Sequence, residues 1–552
     1  MARAGTRPPF GGGYSYWRIC NVLAIGQTGS AVLVGTSDDT LWNRRCAGVL
    51  AFVTLGRAMK AIFAAASLII VSAASAPDLV HAQRQSVLTY HGAPDRSGRF
   101  IVPNLTWDRA RSVHLDPQFH PHISGNVYAQ PLYWRDSPSE AGTLLVTTES
   151  NQVHAIDART GSEIWTRSIG RPVSRTSLSC GNISPLGITG TPVIDADTRA
   201  IYLNAAIETA DGPRHRVFAL ALKDGAALPG WPVDVADAVN RTGGDFVPRD
   251  QNQRSALTIL DGMVYVPFGG HFGDCGHYRG TVLGISLADP NNVRSWATRA
   301  RGAGIWAPAG ASSDGHSLFV ATGNSFGATS FADGEAIIRL SPDLHHSNDT
   351  RDYFAPADWR TLDARDADLG GTNPVLLDVP SASGTEPRLL ALGKDRKAYL
   401  LDRNNLGGIG GGLAMETVST RIMIGAPAAY TAGDGALVAI QGPGAQCPDR
   451  GSGLTVLTIR ATASLISAAW CGSVRGAGSP IVTTTDGSAE PIVWMLGAEG
   501  DDLLHGFRGD NGQPIYSGPS ERMSGLRHMQ TLIGTPDRLY VAADNTVYAF
   551  AF

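Results

Sequence analysis

The sequence predicts an all-β fold, an eight-bladed β-propeller with four-stranded antiparallel blades, on three observations. The chain of 552 residues holds 65 glycines and 32 prolines and only 17% charged residues, a balance that favours short strands and tight turns over long charged helices. A β-rich run, a small polar turn and a second apolar run recur along it, often followed by Asp/Gly and Trp. The copies number eight, at uneven intervals of about 45 to 70 residues, the spacing of propeller blades that carry insertions.

In chain order, residues 1–58 carry isolated aromatics and no repeat, and read as an over-extended start or a disordered tail. Residues 59–82 have the layout of a secretory signal. Met59-Lys60 precedes an uncharged run from Ala61 to Pro77, and Val80-His81-Ala82 supplies the small-x-small site, with cleavage expected after Ala82. The alternative is an inner-membrane anchor with Arg44, Arg45 and Arg57 on its cytoplasmic side. Residues 83–552 then form a single propeller domain, periplasmic or secreted. That portion keeps 38 Lys+Arg against 46 Asp+Glu, a net charge of −8, which argues against nucleic acid or anionic lipid as a partner. It also keeps Cys180, Cys275, Cys447 and Cys471. In an oxidising compartment four cysteines read as two disulfides; three pairings are open, and the nearest-neighbour pairing, 180–275 with 447–471, is the expectation. No Cys-x-x-Cys-His motif is present to attach a c-type haem.

The clearest repeat runs from Gly142 to Trp165, where two apolar strands flank a polar turn and Asp157-Ala-Arg-Thr-Gly161 reverses the chain so that Trp165 can pack on a neighbouring sheet. Looser copies begin near Ala200, Met263, Ser317, Arg388, Ala436, Ile492 and Arg538. The terminal run from Thr546 is expected to close the ring by sharing a blade with a strand near the mature N-terminus, which removes exposed edges.

The stretch AIDARTGSEIW, Ala155 to Trp165, resembles the tryptophan-docking repeat of the pyrroloquinoline quinone (PQQ) dehydrogenases and their non-catalytic propeller relatives. More narrowly, SVLTYHGAPDRSGRF from Ser86, NVYAQPLY from Asn126, GITGTPVID from Gly187, QNQRSAL from Gln251, DADLGG from Asp366 and GKDRKAYLLDRNNLGG from Gly393 are similar to secreted bacterial PQQ-like repeat proteins. The resemblance implies an eight-bladed propeller with PQQ at the ring axis, stacked on a tryptophan. It further implies Ca²⁺ held by a carboxylate and an asparagine, an aspartate as base, and a Lys or Arg at the quinone oxygens.

Carried over residue by residue, it makes Trp306 the stacking residue and Asn324, 18 residues later, a cofactor and calcium ligand. Asp366 and Asp368 fall where the base is expected, Asp366 also serving as a metal candidate. Lys394, one of only four lysines, falls on the quinone contact, and Arg254 of QNQRSAL is a further cofactor-binding candidate. Two features depart from the pattern. The loop GGHFGDCGHYRG offers Asp274, the third metal candidate, and sets Cys275 nearest the position of the calcium-binding glutamate; and no adjacent cysteine pair exists. In that loop His271, Asp274, His277 and Arg279 lack the ligand spacing of a transition-metal site. No phosphate-binding glycine loop, serine nucleophile elbow or zinc-protease helix occurs, which removes nucleotide enzymes and common hydrolases.

Two functions follow as expectations. One is a quinoprotein oxidoreductase that oxidises a small alcohol or sugar with PQQ and Ca²⁺ and passes electrons to a separate acceptor. The other is a non-catalytic propeller that binds a protein or glycan in the cell envelope.

Overall fold

A computed structural model describes residues 85–552 apart from 434, 449–451 and 519–521; the expectations for the tail and the signal lie outside the described residues. Eight sheets follow one another around a ring. In chain order the blades span 132–168, 193–234, 251–297, 312–355, 375–417, 428–472, 481–517 and 533–551, the last completed by His114–Leu115. Each of the eight apolar runs read from the sequence is the second strand of its blade. These strands carry alternating branched and small residues with nearly every side chain buried, as in Ala200–Thr209 and Leu318–Ala321, because blades pack on both faces.

The turn chemistry works as the sequence implies. Asp157 Oδ1 accepts from the backbone N–H of Arg159 and Thr160, and Gly161 takes φ +76°, a left-handed conformation that suits glycine. The reversal sends Trp165 to the next blade, where its Nε1 donates to Leu222 O at 2.9 Å. Trp470 repeats the move from blade 6 to Gly509 O at 3.0 Å. Both expected disulfides, Cys180–Cys275 and Cys447–Cys471, are present. Among the described residues no helix is long and apolar enough to cross a membrane.

The ring closes as predicted: His114–Leu115 pairs antiparallel with Thr546–Ala551. The segment just before that strand does something the sequence does not announce. Residues 87–102 run through the middle of the ring and satisfy the inward edges of the first strands, which would otherwise present unpaired backbone groups. Val87 pairs with Tyr133 of blade 1, Leu88 O accepts from Ile194 N of blade 2, and Pro94 O from Ser313 N of blade 4. Ser97 O accepts from Ala429 N of blade 6, and Arg99–Ile101 lies parallel to Ile481–Thr484 as an innermost fifth strand of blade 7. Blade 4 likewise gains a parallel fifth strand, Gly408–Ile409.

Arg96 is the hub of this segment. It is fully buried, and its guanidinium donates to the carbonyls of Tyr90, Leu257 and Ala311 and to the hydroxyls of Thr89 and Thr258. Burial pulls its pKa down to about 10, so it stays charged at neutral pH, held by carbonyl dipoles rather than by a carboxylate.

Candidate functional site

In an up-and-down blade the residues before the first strand and after the second lie at the same end of the ring. Trp306 and 366–368 precede the first strands of blades 4 and 5, while Asn324 and Lys394 follow the second strands of the same blades. The fold therefore gathers the residues singled out from the sequence, and the side chains meet. Lys394 Nζ stands 2.7 Å from Asp368 Oδ2, 3.0 Å from Asp366 Oδ1 and 5.3 Å from the centre of the Trp306 ring. The Asn324 N–H donates to Asp368 Oδ1 at 2.9 Å, and the Lys394 N–H to Asp368 O at 2.9 Å. Asp366 terminates the helix Trp359–Arg365 in a left-handed conformation, φ +53°. It is exposed, whereas Asp368, two residues on, is buried. Gly323 lets Asp368 and Trp306 come close: a Cβ there would stand 2.9 Å from Asp368 Oδ1 and 3.2 Å from Trp306 Nε1.

The charges of this group are interdependent. Burial raises the pKa of Asp368 above the usual carboxylate value despite the opposing pull of Lys394. Burial also works against the Lys394 ammonium, yet Asp368 and Asp366 outweigh it and hold its pKa above that of an ordinary lysine. Behind them lies a residue the sequence reading missed. Glu335 is fully buried; its Oε2 accepts from the Leu369 N–H at 2.6 Å and its Oε1 has no hydrogen-bond partner. Burial, and then the neighbouring Asp368, hold its pKa well above the usual range. Glu335 comes from a loop at φ +52° just before a strand, and no motif spacing marks it.

A planar quinone suits part of this donor set: an aromatic ring with a cation beside it and a buried carboxylate. Calcium does not suit the residues as they stand, since it takes six to eight oxygen ligands. Asp274 Oδ1 accepts from Tyr278 Oη at 2.5 Å, Cys275 is committed to the disulfide, and Asp366 pairs with Lys394. Among the described residues no group of three or more His, Cys, Asp or Glu side chains is placed to hold a metal ion.

Arg254 stands outside the group around Lys394. It lines a small pocket with room for about one water molecule, with Tyr90 of the axial segment, Tyr128, Gln130, Thr189, Thr191, Pro308 and His528 among the other walls. Trp306, Asn324, Asp368 and Lys394 are not among its lining residues. Beside it Glu149 is fully buried, its Oε2 accepting from the Gly187 N–H at 2.6 Å. Burial pushes the Glu149 pKa up to about 7. A raised acid pKa means that the folded state holds the proton more tightly, so this contribution is complete below about pH 4.5 and is lost as pH rises through 7, about 3 kcal/mol in all. Glu149→Gln is therefore expected to gain about 3 kcal/mol on the parent between pH 4.5 and pH 8, read from urea midpoints; a parent–variant difference that stays flat with pH would contradict it.

No family model and no curated protein matches the chain by sequence. Solved structures do match its fold. The quinohemoprotein alcohol dehydrogenase from Comamonas testosteroni superposes with a TM-score of 0.59 at 14% identity, over 85% of this chain and 81% of that one. A quinohemoprotein alcohol dehydrogenase from Pseudomonas putida HK5 gives 0.57 at 13%, over 86% and 81%. A europium-containing methanol dehydrogenase gives 0.57 at 12%, over 86% and 100%. The chain thus has the eight-bladed propeller fold of the quinoprotein alcohol and methanol dehydrogenases.

Proposed function

We propose that the protein is an exported quinoprotein oxidoreductase that oxidises a small alcohol or sugar, in which Trp306 and Lys394 would be among the residues that hold PQQ and electrons would leave through a separate acceptor. The observation that carries this reading is the convergence of Trp306, Asn324, Asp368 and Lys394, from scattered sequence positions, into one group joined by a hydrogen bond, an ion pair and a cation–ring contact. Bound there, the quinone would supply a two-electron acceptor that no side chain provides. Asp368 is the base that takes the substrate hydroxyl proton; its raised pKa brings its proton affinity nearer to working pH, where a general base is most effective. Lys394 fixes the orientation of that carboxylate and holds positive charge at the edge of the Trp306 ring. Calcium is not carried into this reading, because the donors around Asp274 do not fit it. The two disulfides support export.

A second reading, a non-catalytic envelope propeller that binds a protein or glycan, is favoured by one observation: a disulfide-bonded Cys275 stands where the calcium carboxylate is expected. Calorimetry with PQQ, with and without Ca²⁺, separates the two. Dissociation constants in the micromolar range, weakened at least about tenfold in Lys394→Ala, are expected. A folded parent that takes up no PQQ in either condition would leave the binding propeller as the function.

A further inference from the structure

The geometry points to Glu335 as the positioning residue of Asp368, holding the base of the proposed oxidoreductase through the peptide that joins Asp368 to Leu369; the inference rests on that reading of the site. Both polar ends of this peptide are fastened, each from a different blade. Its carbonyl, Asp368 O, accepts from the Lys394 N–H at 2.9 Å, and its amide, the Leu369 N–H, donates to Glu335 Oε2 at 2.6 Å. The lacing is reciprocal. Glu335 reaches from blade 4 to the backbone beside Asp368, while the Asp368 side chain reaches back to the Asn324 N–H of blade 4 at 2.9 Å. The backbone N–H of Glu335 donates in turn to Gly323 O at 2.9 Å, so both ties start from one tight patch. There the two segments touch backbone to backbone: a Cβ on Gly370 would stand 2.7 Å from the Thr322 carbonyl carbon.

Packing alone does not account for a glutamate at this position. The side chain is fully buried and its Oε1 has no hydrogen-bond partner, an unfavourable state that a leucine of similar size would avoid. The backbone is also held at φ +52°, in the left-handed region that residues with a long side chain seldom occupy. Local penalties of this kind collect where a site needs a group in one place. What glutamate supplies, and leucine cannot, is the acceptor for the Leu369 N–H. Without it the Asp368–Leu369 peptide is fastened at its carbonyl end only. Rotation of that peptide swings the Asp368 carboxylate away from Lys394 Nζ, now at 2.7 Å, and from the Asn324 N–H. A misplacement of about 1 Å at a reacting group lowers a rate on the order of 10²-fold.

The test compares two substitutions in the protein expressed from the full chain. Glu335→Asp keeps the carboxyl but draws it back by one methylene, out of reach of Leu369. Glu335→Gln keeps the reach and an acceptor oxygen without the acid; burial already favours the uncharged form of Glu335, so the carboxamide is a close mimic. The readouts are hydrogen exchange of the 366–371 amides by mass spectrometry, without quinone, and kcat for dye-coupled oxidation by the PQQ-loaded protein. In Glu335→Asp the Leu369 amide is expected to exchange at least about tenfold faster, with kcat lower by about 10–10² and KM and PQQ affinity changed far less. Glu335→Gln is expected to recover most of both losses. Equal losses in the two variants, the reverse order, or parental exchange or kcat in Glu335→Asp would overturn the assignment. A parent that oxidises no alcohol or sugar overturns the oxidoreductase instead, and the exchange comparison, which needs no quinone, still decides whether Glu335 holds the peptide.

Discussion

Arg96→Met should lower the stability of the fold by about 3–5 kcal/mol, the cost of leaving buried carbonyls and hydroxyls without their donor. Methionine fills much of the same space, so the loss reports hydrogen bonding rather than volume. The carbonyls of Tyr90 and Leu257 would lose their arginine donor, at about 1–3 kcal/mol each before relaxation, while Ala311 O would keep only Thr258 Oγ1 at 3.0 Å. Arg96→Lys should recover only part, since an ammonium has three donors and cannot span carbonyls on opposite sides as a planar guanidinium does. Urea unfolding of the three proteins decides the matter. A methionine variant within about 0.5 kcal/mol of the parent would show that the axial segment is held by its backbone alone.

In the proposed oxidoreductase, Asp368→Asn is expected to reduce kcat for dye-coupled oxidation by about 10²–10⁴, the usual contribution of a general base, with PQQ affinity changed far less. The substitution removes a buried carboxylate whose pKa burial has already raised, so stability should hold, while Lys394 keeps Asp366 at 3.0 Å. A change confined to KM would reassign Asp368 to binding, and an unchanged kcat would remove it from the chemistry.

What the sequence discloses here and what it hides have a common physical origin. The second strands are legible because each is a local run of apolar residues bounded by turn formers; Trp165 is legible because Asp157 and Gly161 enforce its reversal within a few residues. The group around Lys394 is legible only through resemblance, which rests on Trp306 standing 18 residues before Asn324 and Lys394 nine residues before Arg403. Glu335 is hidden because its role arises from packing against Leu369, 34 residues away, with no pattern of its own. The course of residues 87–102 is hidden for a stronger reason. Its pairings last one to three residues and reach partners as far off as Val482 and Thr484, so no periodicity can form.

That axial segment also sets the order of assembly. Arg99–Ile101 and His114–Leu115 are made first, yet they pair with Ile481–Thr484 and Thr546–Ala551, which are made last. Until the C-terminal blades arrive, the early strands have no place to dock and the ring remains an open arc with both ends exposed. Contacts of such long sequence separation make folding slow. The same clasp ties residues 99–115 to 481–551, so deleting either segment leaves blades 7 and 8 without a paired strand.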